Sequence, residues 1–173
     1  MTDGAARVIQ LHGDEELKAT VLPRLLSRDP ATAWTAGQWM TERPGGSDVA
    51  ESETIAKPVK ESADPKTGDL YFLDGFKWFS SATDGDVALA LARTDPDVKK
   101  GARGLGLFLI KLRLSPEETK QRIEAIKATS GAVAGEREEN EAEASRNGIR
   151  IHRLKEKFGT KVSSTLTHCS PRN

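Results

Sequence analysis

No regular element can run through Arg43-Pro44-Gly45-Gly46. Proline fixes one backbone torsion and has no N–H, and the two glycines release the torsions that follow. Trp39 and Met40, just before it, are an apolar pair of the kind a strand buries. Ser47 and Asp48, just after it, are small and polar. The chain therefore folds tightly at this point, and its backbone can closely approach a flat group. Thr41 and Ser47 flank the turn, and each offers a hydroxyl and a backbone N–H that can converge on one polar edge. A Pro-Gly-Gly turn alone supports nothing beyond an ordinary strand connection.

The 173 residues fit one domain, or one domain plus part of another. A chain of this size buries roughly 70% of its unfolded surface, enough for a core. Acidic and basic residues balance at 26 each. That argues against nucleic acid or a membrane surface as the default partner. Cys169 is the only cysteine, so an internal disulfide is excluded and a reducing compartment is expected. No apolar run approaches the ~20 residues that span a bilayer. Met1-Thr2-Asp3-Gly4 does not open a secretory signal, and Pro171-Arg172-Asn173 is not a peroxisomal address. An intracellular location is expected, with cytoplasm, mitochondrion and peroxisome left open.

Residues 5–12 read as the last turns of a helix, with Gly13 suited to a left-handed position beyond it. Asp14 can cap a second helix whose stripe is Leu17, Val21 and Leu25, broken at Pro23. Strands are expected over 34–42 and 54–59, with Pro58 forcing an edge position. Leu70–Phe79 reads as a hairpin turning at Asp74-Gly75. Val87–Ala92 is alanine-rich and helical on propensity alone, but its neighbours favour a strand, as does the run Gly106–Leu112. Residues 115–147 are rich in charge and alanine. Ser115-Pro116 opens a helix there, and 135–145 lacks the apolar surface needed to order itself. Ile149–Leu154 alternates apolar and basic residues as a half-buried strand does, and His152 on its polar face is given no role.

A second motif, Gly75-Phe76-Lys77-Trp78-Phe79-Ser80-Ser81, gives the first its meaning. Met40-Thr41-Glu42-Arg43-Pro44-Gly45-Gly46-Ser47-Asp48 resembles the flavin-binding signature of acyl-CoA dehydrogenases. The later run resembles that family's Gly-x-Lys-x-aromatic-x-Ser/Thr signature, with Phe79 in a slot that is usually Trp. The pair looks most like the branch containing the bacterial alkylation-response flavoprotein. The likeness covers roughly 5–113 and 147–161.

The resemblance implies a mainly β chain: a small antiparallel β-barrel with N-terminal helices and a charged helical or disordered insertion. Residues 1–30 would be the tail of a helical domain, 31–168 the middle barrel domain with the insertion at 115–147, and 169–173 a C-terminal tail. After Lys161 the likeness fades, and 162–173 is expected to lack the family's next strand. FAD is the implied cofactor, with Met40, Thr41, Gly46, Ser47, Phe79, Ser80 and Ser81 as its binding residues. Phe79 would cover the ring face, and Thr41 and Ser81 would donate to its polar edge and N5. Ser47 would also reach an acyl-CoA thioester. In the family a carboxylate removes the α proton as the β hydride reaches the flavin. That glutamate comes from a C-terminal helical domain, which also forms the homo-oligomer interface and lies outside this match. No catalytic residue or metal ligand is therefore assigned here, Glu42 included, and turnover by this chain alone is not expected. A non-catalytic fragment and a DNA-associated alkylation-response role are the rival readings, the latter without a DNA-binding region in the match.

Overall fold

In a computed structural model, the structure describes residues 1–59, 64–95, 97–129, 141–154 and 163–166. Three helices open the chain: α1 (Thr2–His12), α2 (Glu15–Thr20) and α3 (Leu22–Leu26). Asp14 caps α2, accepting from the Leu17 amide at 2.7 Å, and Pro23 falls in the first turn of α3, where its missing N–H costs nothing. Gly13 departs from the expected handedness, with φ −66° and ψ 150°. Its glycine is required for space instead, since a Cβ there would sit 2.6 Å from the Ile9 carbonyl oxygen.

Five strands form one mixed sheet: β1 (Ala36–Trp39), β2 (Ile55–Pro58), β3 (Tyr71–Asp74), β4 (Val87–Arg93) and β5 (Leu105–Lys111). Alanine-rich β4 is the central strand. Its alternation sends Val87 and Leu89 to a core under the helices, with Ala5, Ala6, Ile9, Val21 and Leu25. Ala88, Ala90 and Ala92 face the second core, with Trp39, Leu73 and Ile110. Small side chains on that face leave room for the Trp39 indole, which has no exposed surface.

The expected closed antiparallel barrel is not formed. β1 and β2 lie end to end along the same edge of β4, both parallel to it, in register Ala36↔Val87 to Trp39↔Ala90 and then Ile55↔Arg93. The chain between them, 40–54, leaves that edge and returns to it. The outer strands β3 and β5 meet through side chains, Tyr71 and Phe108 with ring centroids 5.1 Å apart. Among the described residues no backbone ladder joins them, so the sheet stays open. The expected hairpin at Asp74-Gly75 is also absent. β3 pairs antiparallel with β2, and residues 75–82 run on without strand pairing. Pro58 falls where β2 no longer pairs with β4, which leaves its missing N–H without consequence.

The charged insertion begins as helix α4 (Pro116–Thr129). Ser115 Oγ accepts from the Glu118 amide at 3.2 Å, and the Glu118 carboxylate accepts from the Ser115 amide at 2.8 Å. This is a reciprocal cap. Of the stretch expected to lack order, 135–140 lies outside the described residues. Glu141–Ser145 forms a short helix, α5, with Ala144 fully buried, because the Leu114 amide bonds Ser145 O as the chain returns. Strand β6 (Arg150–Leu154) pairs antiparallel with β7 (Ser163–Leu166) in a separate two-stranded sheet. That corrects the expectation that 162–173 carries no strand. Among the described residues, no helix is long and apolar enough to cross a membrane.

Lys111 donates to both carboxylate oxygens of Glu118, at 2.7 and 2.8 Å, and with the Ser115 amide holds the Glu118 carboxyl below the ordinary glutamate range. A depressed carboxyl pKa contributes stability that is present above the unfolded value and is lost as pH falls through the folded one. The start of α4 is therefore expected to fray as pH falls below the ordinary glutamate range and through the lowered Glu118 value. Loss of protection at the Glu118 and Thr119 amides, absent in Glu118→Gln, is the measurement.

Candidate functional site

Gln38–Val49 and Gly75–Ser81 are brought side by side by four contacts. The Trp78 amide donates to Thr41 O at 2.9 Å. The Trp39 indole N–H donates to Ser81 O at 2.7 Å. The Gln38 amide donates to Ser81 Oγ at 2.9 Å. The fourth contact is an ion pair, Lys77 Nζ with the Glu42 carboxylate, both side chains 2% exposed. Gly37 and Gly75 allow this closeness. A Cβ on Gly37 would collide with Ser81 O, and one on Gly75 would lie 2.6 Å from Thr54 Cα.

The ion pair has a structural reason. Where the chain leaves the edge of β4, a β4 carbonyl loses its ladder partner. Lys77 Nζ supplies one, donating to Leu91 O at 2.6 Å. Glu42 does the matching work for the returning chain: its carboxylate accepts from the Glu53 amide at 2.5 Å and the Thr54 amide at 3.2 Å. Burial pushes the Lys77 ammonium below the ordinary lysine range, with the Glu42 carboxylate pulling it back up. Thr54 Oγ1 is the one buried side-chain oxygen without a partner among the described residues. Glu42 thus spends its oxygens on the fold.

The residues named from sequence divide into two groups. Phe79 presents an exposed ring, and Gly46 and Ser47 are exposed across the turn, with Thr41 half-buried between them. A Cβ on Gly46 would meet nothing nearer than Thr41 Cγ2 at 4.0 Å, so the surface there is open. Gly45 is different, since a Cβ would collide with Asp48 O. Ser80 has no exposed surface. The Ser81 hydroxyl is bonded to the β1 backbone, and Met40 packs under the helices. Phe79 (φ 59°) and Ala82 (φ 46°) are both left-handed and bracket the two serines. For a bulky residue this is an outlier costing about 1–3 kcal/mol, of the kind that gathers at ligand sites. Phe76 stacks on Trp78 at 6.0 Å, Phe79 meets Trp78 edge-on at 5.5 Å, and the Arg43 guanidinium lies 5.9 Å from the Trp78 ring centroid.

Sequence reasoning overlooked the pairing of Lys77 with Glu42, and Arg93 altogether. The signal for the pair was present: one charge inside an aromatic run and an opposite one beside an apolar strand end, each of a type that is buried only when paired.

An open mixed sheet with N-terminal helices and two interlocked signature loops defines an acyl-CoA dehydrogenase-like fold. No family model matches the chain. Individual proteins do. It is 42% identical over 172 residues to acyl-CoA dehydrogenase family member 11 of Caenorhabditis elegans, covering 95% of this chain and 22% of that protein. A solved structure described as the apo-form of Bd2924 superposes with a TM-score of 0.71 at 44% identity, covering 99% of this chain and 29% of that one. The structure of C. elegans ACDH-11 in complex with C11-CoA gives a TM-score of 0.68 at 40% identity, covering 96% and 24%. The chain is homologous to a segment of the acyl-CoA dehydrogenase family and spans less than a third of the length of these relatives.

Proposed function

We propose that this chain is the flavin-cradling segment of an FAD-dependent oxidoreductase of the acyl-CoA dehydrogenase type, acting on acyl-CoA thioesters. The observation that carries the reading is the locking of the two signature loops: Lys77 to Glu42, Trp78 N to Thr41 O, and Trp39 to Ser81 O. The family is FAD-dependent, and a bound flavin would supply the hydride acceptor. This chain's own residues would bind and orient. Phe79 offers an exposed ring to a flat face. Thr41 offers a hydroxyl at a half-buried edge, and Gly46 leaves its backbone accessible. Ser47 projects from the exposed turn toward the thioester end of a substrate. Ser81 contributes by fixing the backbone of its loop, since its hydroxyl already bonds β1. The Thr41–Asp48 and Lys77–Phe79 sequences support an alkylation-response-like branch within this reading.

The interlocking residues spend their polar groups on one another, and none is assigned to remove an α proton, so the proposed role is binding without turnover. Titration of the purified chain with FAD is expected to quench flavin fluorescence saturably. Phe79→Ala, at an exposed position, is expected to weaken binding about tenfold, the loss of one stacking contact, with an unchanged melting transition. Absence of any saturable quenching would remove the reading. So would bleaching of the bound flavin by acyl-CoA, for the part that denies turnover.

A further inference from the structure

The loop that carries Ser47 is tethered at both ends by buried ions. At its entry stands Glu42. Its exit is held by Arg93, the last residue of β4, whose side chain is 4% exposed. The guanidinium reaches three carbonyls: Nε donates to Ser52 O at 3.1 Å, Nη2 to Ala50 O at 2.6 Å and Nη1 to Gly101 O at 3.3 Å. Two of these acceptors belong to the exit of the signature loop. The third belongs to the 3-10 segment Val98–Gly104, which turns on Gly101 at φ 55° and abuts Ala50. The backbone of Arg93 adds an amide bond to Thr54 O at 2.7 Å.

The loop itself is short of other anchors between these ions. The Ala50 amide bonds the Asp48 side chain at 2.9 Å, and the Ser52 amide bonds Val49 O at 3.1 Å. These are local turns that shape the loop but do not place it on the sheet. Glu42 holds the amides of 53 and 54, and the placement of 50–52 comes from the planar fork of Arg93, fixed in direction because its strand is the centre of the sheet. Asp48 and Ser47 sit one turn upstream of the carbonyl that Nη2 holds.

We infer that Arg93 is a positioning residue for the ligand-facing loop: it sets where Ser47 stands by clamping Ala50 and Ser52 against the segment at Gly101, without touching a ligand. This rests on the proposed flavoprotein reading for its ligand but not for its clamp. The clamp acts on the exit of the loop, at Ala50 and Ser52, whereas at its entry Thr41 is held by the Trp78 amide and Gly45 by Glu42. The flavin-facing residues of the second motif are held separately, by Trp39, Gln38 and Lys77. Arg93 therefore bears on the acyl-thioester end of the site more than on the flavin face.

Arg93→Lys tests it in the full chain. Lysine keeps the charge but cannot serve three carbonyls in one plane. Hydrogen exchange is expected to accelerate tenfold or more at amides of 49–53 and 101–104, the loss of one or two charge-assisted bonds. Amides of Ala88–Ala90 should keep wild-type rates. Affinity for an acyl-CoA thioester should fall about tenfold while FAD affinity changes less than about threefold. Arg93→Gln, which removes the charge, should show the same split more strongly wherever it folds. Uniform acceleration across β4 and β5 would make Arg93 a general core cation and overturn the inference. So would unchanged exchange, or equal loss of both ligands. If wild type binds neither ligand, the flavoprotein reading fails and takes the ligand role of Arg93 with it, while the exchange pattern still decides the clamp.

Discussion

Lys77→Met is expected to destabilise the chain by about 3–5 kcal/mol, the cost of leaving one member of a buried ion pair without its partner. Methionine fills the space of the lysine stem but gives nothing to Glu42 or to Leu91 O. The Glu42 carboxylate would remain 3% exposed, with only the Glu53 and Thr54 amides to balance it. The loss is large against the 5–15 kcal/mol typical of a whole domain, so urea midpoints by circular dichroism will show it directly. Glu42→Gln strands the Lys77 ammonium in its turn and sets an NH2 against donors, so a loss of similar size is expected, reduced only as far as Lys77 gives up its proton. A further readout isolates the lysine. Its folded pKa lies below 10.5, so the unfolded chain binds the proton more tightly. Stability therefore rises with pH through the window that closes near the ordinary value, and the cost of burying the charge is fully present below it. Wild type should gain stability as alkaline pH approaches 10.5, and Lys77→Met should not. A loss under about 1 kcal/mol, the range of exposed pairs, would show that the pair is not buried in solution.

Trp39→Ala is expected to cost about 3–5 kcal/mol, as for other large-to-small changes at fully buried aromatics. The indole has no exposed surface and is enclosed by Ala56, Leu73, Ile110 and the alanines of β4. None of these can grow to fill the void. The substitution also removes the donor to Ser81 O, so the second signature loop loses one of its attachments to β1. Trp39→Phe separates the two contributions. It keeps most of the ring volume and loses the hydrogen bond, at about 1 kcal/mol plus the smaller ring's packing deficit. Equal losses for the two variants would mean that the hydrogen bond dominates, contrary to the burial argument. Protection of the amides of 78–82 should fall in both.

Short-range features were legible from sequence because their causes lie within a few residues. Asp14 meets Leu17 three positions on, Ser115 meets Glu118 three positions on, and Pro23 breaks a helix at its own site. The strand assignment of Val87–Ala92 against its helical propensity also held, because turn spacing on either side outweighs the preference of alanine. The left-handed Gly13 did not hold. A glycine can serve either torsion or space, and only the position of the Ile9 carbonyl tells which.

The candidate site was legible in its parts. Both signatures were recognisable by residue type and order, and the structure sets them side by side. What each side chain does there was less so. Ser80 and Ser81 look alike in sequence. In the fold one is sealed inside and the other spends its hydroxyl on the Gln38 backbone, because left-handed residues at 79 and 82 turn the chain between them. Of the three aromatic residues of that motif, Phe79 alone ends with an exposed ring.

By itself the sequence determined the turn at Pro44-Gly45-Gly46, the helix ends, the central apolar strands and the pair of signature runs, since each follows from torsions and periodicity along the chain. Only the tertiary structure decided that the sheet stays open, that Glu42 and Lys77 neutralise each other across 35 positions, and that Arg93 clamps a loop 41 positions away. The reason is physical. The last two depend on β1 and β2 sharing one edge of β4: the chain that leaves and returns there strands one carbonyl on β4 and others in the loop, and each draws in a distant cation that the sheet brings within reach.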